Sequence, residues 1–307
     1  MFDIAVILVH YNSGTLTADC VKSIIKSTSN TLNYQIIIVD NCSEYEDYQN
    51  LKQVCETIDS PNIQLVRSKI NTGFGGGNMI GVQHANAKYL AFINNDTLFI
   101  NDCLNILKDN LEKNNDIGIA GGQSFKPNGD FMISLDHFAS PAREIFGRSF
   151  LEKINPKQYP KRKKRYIEPV KVNFVPGSFM FIRSEDFTEV GGFDTNIFLY
   201  YEETDLCKRL RKKGKYAYLI PSAEFIHYHG ASTEKSIAIK KELRISLFYI
   251  MLKHYGIAGY FSVFLFLLIK YFFSSIFKPK NWPVFFLLLK GAPLSDSLKL
   301  KQKIATN

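Results

Sequence analysis

Along the first hundred positions, apolar residues come in short unbroken runs, each ending in polar residues and each followed by helical periodicity. IAVILVH (4–10) ends at Tyr11-Asn12-Ser13-Gly14 and gives way to a helical pattern over 16–25. QIIIVDN (35–41), IQLVRS (63–68) and YLAFINND (89–96) repeat the scheme. Helical stretches follow over 51–58, from the glycine-rich NTGFGGGN (71–78) to about Ala87, and over 104–111. Runs that are apolar at every position suit strands buried on both faces. Their alternation with helices predicts an α/β domain with a mostly parallel central sheet. In such sheets ligands bind beyond the carboxyl ends of the strands. The polar residues there (His10, Tyr11 and Asn12, Asp40 and Asn41, Asn71, Asn94, Asn95 and Asp96) therefore outline a candidate nucleotide crevice.

The pattern changes after Gly121-Gly122. Residues 123–170 read as an irregular, exposed loop over the crevice, and the basic run 161–165 between Pro160 and Pro169 reads as a solvated face. Residues 172–187 return to strand and then helix, and 217–232 suggest a strand pair broken at Pro221-Ser222. Between them, GGFDTNIFLYYEETDLCKRLRKKG (191–214) places Glu202, Glu203 and Asp205 within four positions. The cluster follows Phe198, Tyr200 and Tyr201 and precedes a helix with Leu206 and Leu210 on one face. Crowded carboxylates beside apolar rings have the raised pKa that a general base needs. Acids also suit the first turn of a helix through its dipole, and at this point both readings stand.

The tail differs in character. Residues 242–256 are amphipathic and aromatic, 257–269 are apolar up to Lys270, and 282–289 form a shorter apolar run. A spanning helix needs about twenty largely apolar residues. Lys270 interrupts the only stretch that could supply them, so interfacial helices are expected, with Lys270, Lys278, Lys280 and Lys290 at headgroup level. A tilted span through Phe277, or packing against a second copy in a soluble homo-oligomer, are the alternatives.

Composition sharpens this division. With 46% hydrophobic and 22% charged residues the chain is a folded protein, and its net charge is +9. Residues 240–307 hold eleven basic and two acidic residues, whereas 1–239 are neutral overall. A boundary near 239 is expected, with a globular domain over 1–239 and a basic, membrane-associating tail over 240–307. Nucleic acid is not the expected partner, because the basic positions alternate with apolar aromatic runs. Five cysteines without paired spacing predict free thiols in a reducing compartment rather than a zinc site, and the N-terminus lacks a signal-peptide pattern.

With these elements placed, the chain resembles the inverting glycosyltransferases of family 2, which have a GT-A fold. Within them it is similar to the rhamnosyltransferase-like branch of surface-polysaccharide assembly. The motifs are VILVHYNSG (6–14), IIIVDNCS (36–43), NTGFGGGN (71–78), FINNDT (92–97), PGSFMFIR (176–183), the 191–214 segment and HYHGAS (227–232). The match runs over about residues 3–235.

The resemblance implies roles for these positions. Asp40 would accept from the imide N–H of uracil or thymine, with helix capping as its plainer role. Asn71, Gly73 and Gly75 would lie along the nucleotide, although glycines also serve tight turns. Asn94-Asn95-Asp96 falls where the family carries its metal motif, with Asn95 departing from the branch's usual pattern. Asp96 would bind Mg²⁺ or Mn²⁺ at the donor diphosphate, His227 would complete the sphere, and His229 is a reserve candidate. Glu203 would deprotonate the acceptor, with Glu202 as its rival and Asp205 orienting or capping the helix. The implied activity is transfer of a sugar, first dTDP-L-rhamnose, onto a polyprenyl-diphosphate-linked glycan at the cytoplasmic face of the plasma membrane. A UDP-galactofuranose or UDP-hexose donor is the alternative within the class. A non-catalytic sugar-nucleotide binder or assembly partner is the alternative outside it.

Overall fold

Ile4, Ala5, Val6, Ile7 and Leu8 have no exposed surface, because the strand that carries them, β1 (Phe2–His10), has a parallel neighbour on each side and a packed layer on each face. In the computed structural model, which describes residues 1–306 apart from 59, 61 and 229–235, β1 is followed by α1 (Gly14–Ser27), β2 (Tyr34–Asp40), α2 (Tyr45–Thr57), β3 (Ile63–Arg67), α3 (Gly73–Gln83), β4 (Ala87–Asn94), β5 (Thr97–Phe99), α4 (Cys103–Lys113) and β6 (Ile117–Phe125). Then come α5 (Pro141–Phe146), α6 (Arg148–Ile154), β7 (Val170–Val172), β8 (Phe179–Arg183), α7 (Ser184–Glu189), α8 (Glu202–Lys212), β9 (Tyr216–His227), α9 (Ile237–Phe277) and α10 (Trp282–Leu289).

The strands form one sheet in the order β3-β2-β1-β4-β8-β6-β9-β5, with β7 also paired to β9. The β3-β2-β1-β4 half is parallel, as is the β6–β9 pair; β8 runs antiparallel to both of its neighbours, and β5 and β7 run antiparallel to β9. This is the mixed, mostly parallel α/β sheet of a GT-A fold. One face is covered by α1 and α4, through Val21, Ile24, Leu104, Leu107 and Leu111. The other is covered by α3, α7 and α8, through Met79, Phe187, Leu206 and Leu210. All five cysteines are free, three of them buried.

Two segments depart from the sequence expectation. The described part of 217–232 is a single strand, β9, rather than a strand pair. Gly122 pairs with Ile220 and Gln123 with Glu224, so 221–223 bulge out of the ladder, which is how a proline fits inside a paired strand. Residues 123–170 are not simply irregular. They contain α5 and α6, bury Leu135, His137 and Ala139, and bring the Ser134 hydroxyl to accept from Gln123 Nε2 and the Ser124 amide. Their polarity is that of a buried network, which a residue-by-residue reading mistakes for solvent exposure.

The tail is built around α9, the one helix among the described residues long and apolar enough to cross a membrane by length and composition. Ser236 caps its start, accepting from the Ile239 amide at 3.2 Å, and Gly256 interrupts it at φ 64°, ψ −164°. Before Gly256 the helix belongs to the globular unit: Ile245, Leu247, Phe248, Ile250 and Met251 are buried in a cluster with Ile197 and Ala139. After it, Val263 and Leu267 pack near Leu287 and Leu288 of α10, while Ile257, Phe261, Leu265, Ile269, Phe273 and Ile276 are each more than half exposed.

Candidate functional site

The carboxyl ends of β1, β2 and β3 bring one group of candidates together. Parallel register sets Asp40 beside Arg67, and the Arg67 Nε lies 3.4 Å from Asp40 Oδ2. The Asp40 side chain is fully buried and its Oδ1 accepts from the Ser43 amide at 3.1 Å, so the carboxylate also caps the turn leading to α2. Arg67 is held flat against the Tyr48 ring, 4.2 Å from its centroid. Asn12 sits in the left-handed region (φ 48°) and is fixed by the Ser43 hydroxyl and the Glu44 amide, beside an exposed Tyr11. His10 is buried between the Asp47 carboxylate (2.7 Å) and the Thr17 hydroxyl (2.9 Å). Burial lowers its pKa against the opposing pull of Asp47 and Asp40.

The glycine-rich segment is mostly helix, not loop. Asn41 organises its entry: its amide donates to Asn71 Oδ1 and Gly73 O, and its Oδ1 accepts from the Thr72 amide and hydroxyl. Asn71 accepts in turn from the Gly73 amide at 2.9 Å. Gly73 has φ +76° and lies against the Phe198 carbonyl, where no side chain fits. A Cβ on Gly75 would stand 3.5 Å from Glu202 Cγ, and one on Gly77 would stand 2.9 Å from Val9 Cγ1. These glycines let α3 approach both the sheet and the acidic segment closely.

The triplet after β4 divides its labour. The Asn95 amide donates to the hydroxyls of Ser13 (2.7 Å) and Thr17 (2.8 Å), so this residue ties the turn to the start of α1. Asp96 is buried, and its Oδ1 lies 3.1 Å from His227 Nε2 without a hydrogen bond of good geometry; Asn94 Nδ2 lies 3.5 Å from the same nitrogen. Roughly 3 Å is the spacing of adjacent ligands around one six-coordinate cation with bonds of about 2.1 Å. The pair therefore fits Mg²⁺ or Mn²⁺. Among the described residues no third acid, His or Cys joins it. The reserve candidate His229 lies outside the described residues.

Glu202, Glu203 and Asp205 occupy the first turn of α8, entered through two consecutive left-handed residues, Tyr200 (φ 74°) and Tyr201 (φ 73°). Such conformations cost about 1–3 kcal/mol each and persist only where the surroundings enforce them. Here Arg143 stacks over the Tyr201 ring and Phe198 is locked on Gly73. The three acids then diverge. Glu202 is buried, with Oε1 unpartnered; burial and then the neighbouring Glu203 raise its pKa well above the ordinary value. Glu203 is partly exposed and its Oε1 accepts from the Gly177 amide at 3.0 Å. Burial raises its pKa, opposed by the amides of Glu203 and Gly177. A coupled pair titrates as a unit, and the carboxylate with an amide donor and solvent access ionises first. Asp205 is different: its Oδ1 meets His254 (2.8 Å) and Lys253 (2.7 Å), and its Oδ2 meets Arg209. Burial would raise its pKa, but His254, Arg209 and Lys253 together hold it far below the usual carboxylate range.

The loop 176–178 joins the two ends of the site. The Gly177 amide donates to Glu203, and the Ser178 carbonyl accepts from the Asn94 amide at 3.0 Å. Glu203 and the Asn94–Asp96 turn thus flank one short loop. The sequence alone marks His10 and Asn41 as strand-end polar residues but does not single out Arg67 or the Lys253-His254 pair. Arg67 could have been found as a charge ending a strand beside Asp40; the tail pair leaves no local signal.

Residues 5–191 match the sequence profile of glycosyl transferase family 2. The chain is 28% identical over 217 residues to rhamnosyltransferase WbbL of Escherichia coli K12, covering 68% of this chain and 79% of that protein. It is 40% identical over 67 residues to N-acetylglucosaminyl-diphospho-decaprenol L-rhamnosyltransferase of Mycobacterium tuberculosis, 22% of each chain. In fold it is similar to GalNAc-T7 bound to UDP, GalNAc and Mn²⁺ (TM-score 0.62, 16% identity), covering 83% of this chain and half of that one. It is also similar to the mannosyltransferase PcManGT of Pyrobaculum calidifontis bound to GDP-Man and Mn²⁺ (TM-score 0.58, 13% identity), covering 95% of this chain and 88% of that one.

Proposed function

The chain belongs to glycosyl transferase family 2 and is a glycosyltransferase, and we propose that it transfers L-rhamnose from dTDP-L-rhamnose, with inversion, onto a polyprenyl-diphosphate-linked glycan at the cytoplasmic face of the membrane. The observation that carries this reading is the 176–178 loop with Glu203 on one side and the Asn94–Asp96 turn on the other. The relatives named for rhamnosyl transfer, one of them onto a decaprenol-linked acceptor, support the donor and the acceptor class. The exposed apolar stripe of α9 suits an enzyme whose acceptor is held in lipid.

Each residue then has a task. Asp40, braced by Arg67, accepts from the imide N–H of the base, and Tyr11, Asn12, Asn71, Gly73 and Gly75 line the approach of the nucleotide. Asp96 and His227 hold the divalent cation, which when bound neutralises negative charge on the departing diphosphate. Glu203 removes the proton from the acceptor hydroxyl as its oxygen forms a bond to the anomeric carbon, and the bond from that carbon to the diphosphate oxygen breaks on the opposite side.

The test is release of nucleotide diphosphate by purified protein with Mn²⁺ or Mg²⁺, across dTDP-rhamnose, UDP-galactose, UDP-galactofuranose, UDP-glucose and UDP-N-acetylglucosamine. Turnover of dTDP-rhamnose alone, lost in Asp96→Ala, is the expected result. Turnover of a UDP-sugar instead replaces the donor, and failure of all five to bind overturns the reading.

A further inference from the structure

We infer that the α5–β7 segment of the catalytic domain is itself a docking surface for an anionic lipid bilayer, a second contact beside the α9 tail. The inference rests on the reading of α9 as a membrane-facing helix and adds a surface that the basic run, taken as a solvated face, did not suggest.

Three observations carry it. First, Phe146, Phe150 and Ile154 recur at intervals of four and are all exposed, and the first two rings meet at 5.3 Å between centroids. They form an apolar ridge that the globular unit leaves uncovered, and Ile167 on the same segment is 89% exposed. Second, the ridge runs directly into a basic zone. Lys153, Lys157, Lys161, Lys163, Lys164, Arg165 and Lys171 are exposed, against Glu168 as the exposed acid of 146–171. Lys157, Lys161, Lys164 and Lys171 line one open cleft of ≈ 500 Å³ with Pro156, Pro160 and Tyr166. The segment's other acid, Glu152, is already engaged by Arg162 and His137. Third, the segment adjoins the tail. α5 packs on α9, the Tyr255 hydroxyl donates to the Ala139 carbonyl at 3.0 Å, and a Cβ on Gly259 would touch Pro141 at 3.5 Å. Ile257 and Phe261, on either side of Gly259, begin the exposed stripe of α9.

Apolar side chains that enter the interface, flanked by lysines that meet anionic headgroups, are the two parts of an interfacial membrane site. A nucleic-acid surface would not carry an exposed Phe-Phe-Ile ridge.

The experiment is co-sedimentation of the full chain with phosphatidylcholine vesicles and with vesicles that also contain phosphatidylglycerol. Parent protein is compared with Phe146→Ser/Phe150→Ser/Ile154→Ser, with Lys157→Glu/Lys161→Glu/Lys164→Glu and with the tail variant Phe261→Ser/Leu265→Ser. Circular dichroism and thermal melts check that these surface changes leave the fold intact. The expected result is stronger binding of the parent to anionic vesicles, a fall of about tenfold or more in partitioning for the lysine variant on those vesicles only, and a loss for the Phe-Phe-Ile variant on both. Parent-like binding by both loop variants, or no binding by the parent, overturns the inference. So does a loop-dependent dimer in light scattering without vesicle binding, which assigns the ridge to a second copy. Donor turnover in the absence of vesicles is scored separately: its loss in the parent removes the proposed function and leaves the lipid result standing.

Discussion

His254 Nε2 lies 2.8 Å from Asp205 Oδ1, joining the tail helix to the turn that carries Glu203. Lys253 strengthens the joint by bridging Asp205 (2.7 Å) and Asp194 (2.6 Å), and Tyr249 donates to Asp194 as well. Replacing Asp205 with Asn leaves three basic side chains facing a neutral amide in a buried setting. Destabilisation of about 3 kcal/mol is expected in urea or thermal unfolding. Because the folded-state pKa of Asp205 is depressed, its contribution is complete above the unfolded Asp value of about 3.9 and is lost as pH falls toward the folded value. The stability difference between parent and Asp205→Asn should therefore be flat near neutrality and close only in acid.

Glu203→Gln and Glu202→Gln should part company. The first removes the proposed base, so kcat is expected to fall by about 10²–10⁴ with donor binding retained. The second replaces a buried acid whose raised pKa makes its ionised form unfavourable; turnover within a few-fold of parent, and equal or greater stability at neutral pH, are expected. Since burial raises the Glu203 pKa, the acid limb of the parent's pH–rate profile should lie above the ordinary glutamate range. A parent-like rate in Glu203→Gln would hand the role to Glu202.

Chelation with EDTA should abolish turnover, and Mn²⁺ should restore it. His227→Ala is expected to raise the metal concentration needed for half-maximal donor binding by at least about tenfold, since changes even beyond the direct ligands cost that much. Asp96→Ala should leave no metal-dependent binding. Isothermal titration of donor with and without Mn²⁺ reads both effects.

Gly81 is buried on α3 where an added Cβ would collide with Ile7 of β1. Gly81→Ala is expected to cost about 1–3 kcal/mol of stability by overpacking, with an unchanged KM for the donor. A large KM effect without destabilisation would instead mean that this end of the glycine-rich helix approaches the nucleotide.

What the sequence made legible follows from how local each signal is. Strands β1 to β4 stand out as apolar runs because both their faces are buried, and their polar last residues mark the crevice. Asp96, His227 and Glu203 are recognisable through motifs within a few residues of each. Arg67 matters only through parallel pairing with Asp40, a contact across 27 positions, and Lys253 and His254 act on carboxylates some fifty residues away. The 123–170 segment was misread because serines and glutamines that bond each other inside the fold have the same letters as those that bond water.

Gly256 lies two positions after His254, and at this one left-handed residue the helix turns back so that Tyr260 packs on Phe248. Everything before it is bolted to the acidic segment through Lys253 and His254, and the stripe after it is the part suited to lipid. With that stripe lying on a bilayer, as proposed, the packing of the two halves of α9 on each other sets the altitude of Glu203 above the surface. A glycan whose end hydroxyl rises to that altitude is extended, and one too short or too long is passed over. The enzyme's choice of acceptor is then a matter of stature as well as of sugar identity.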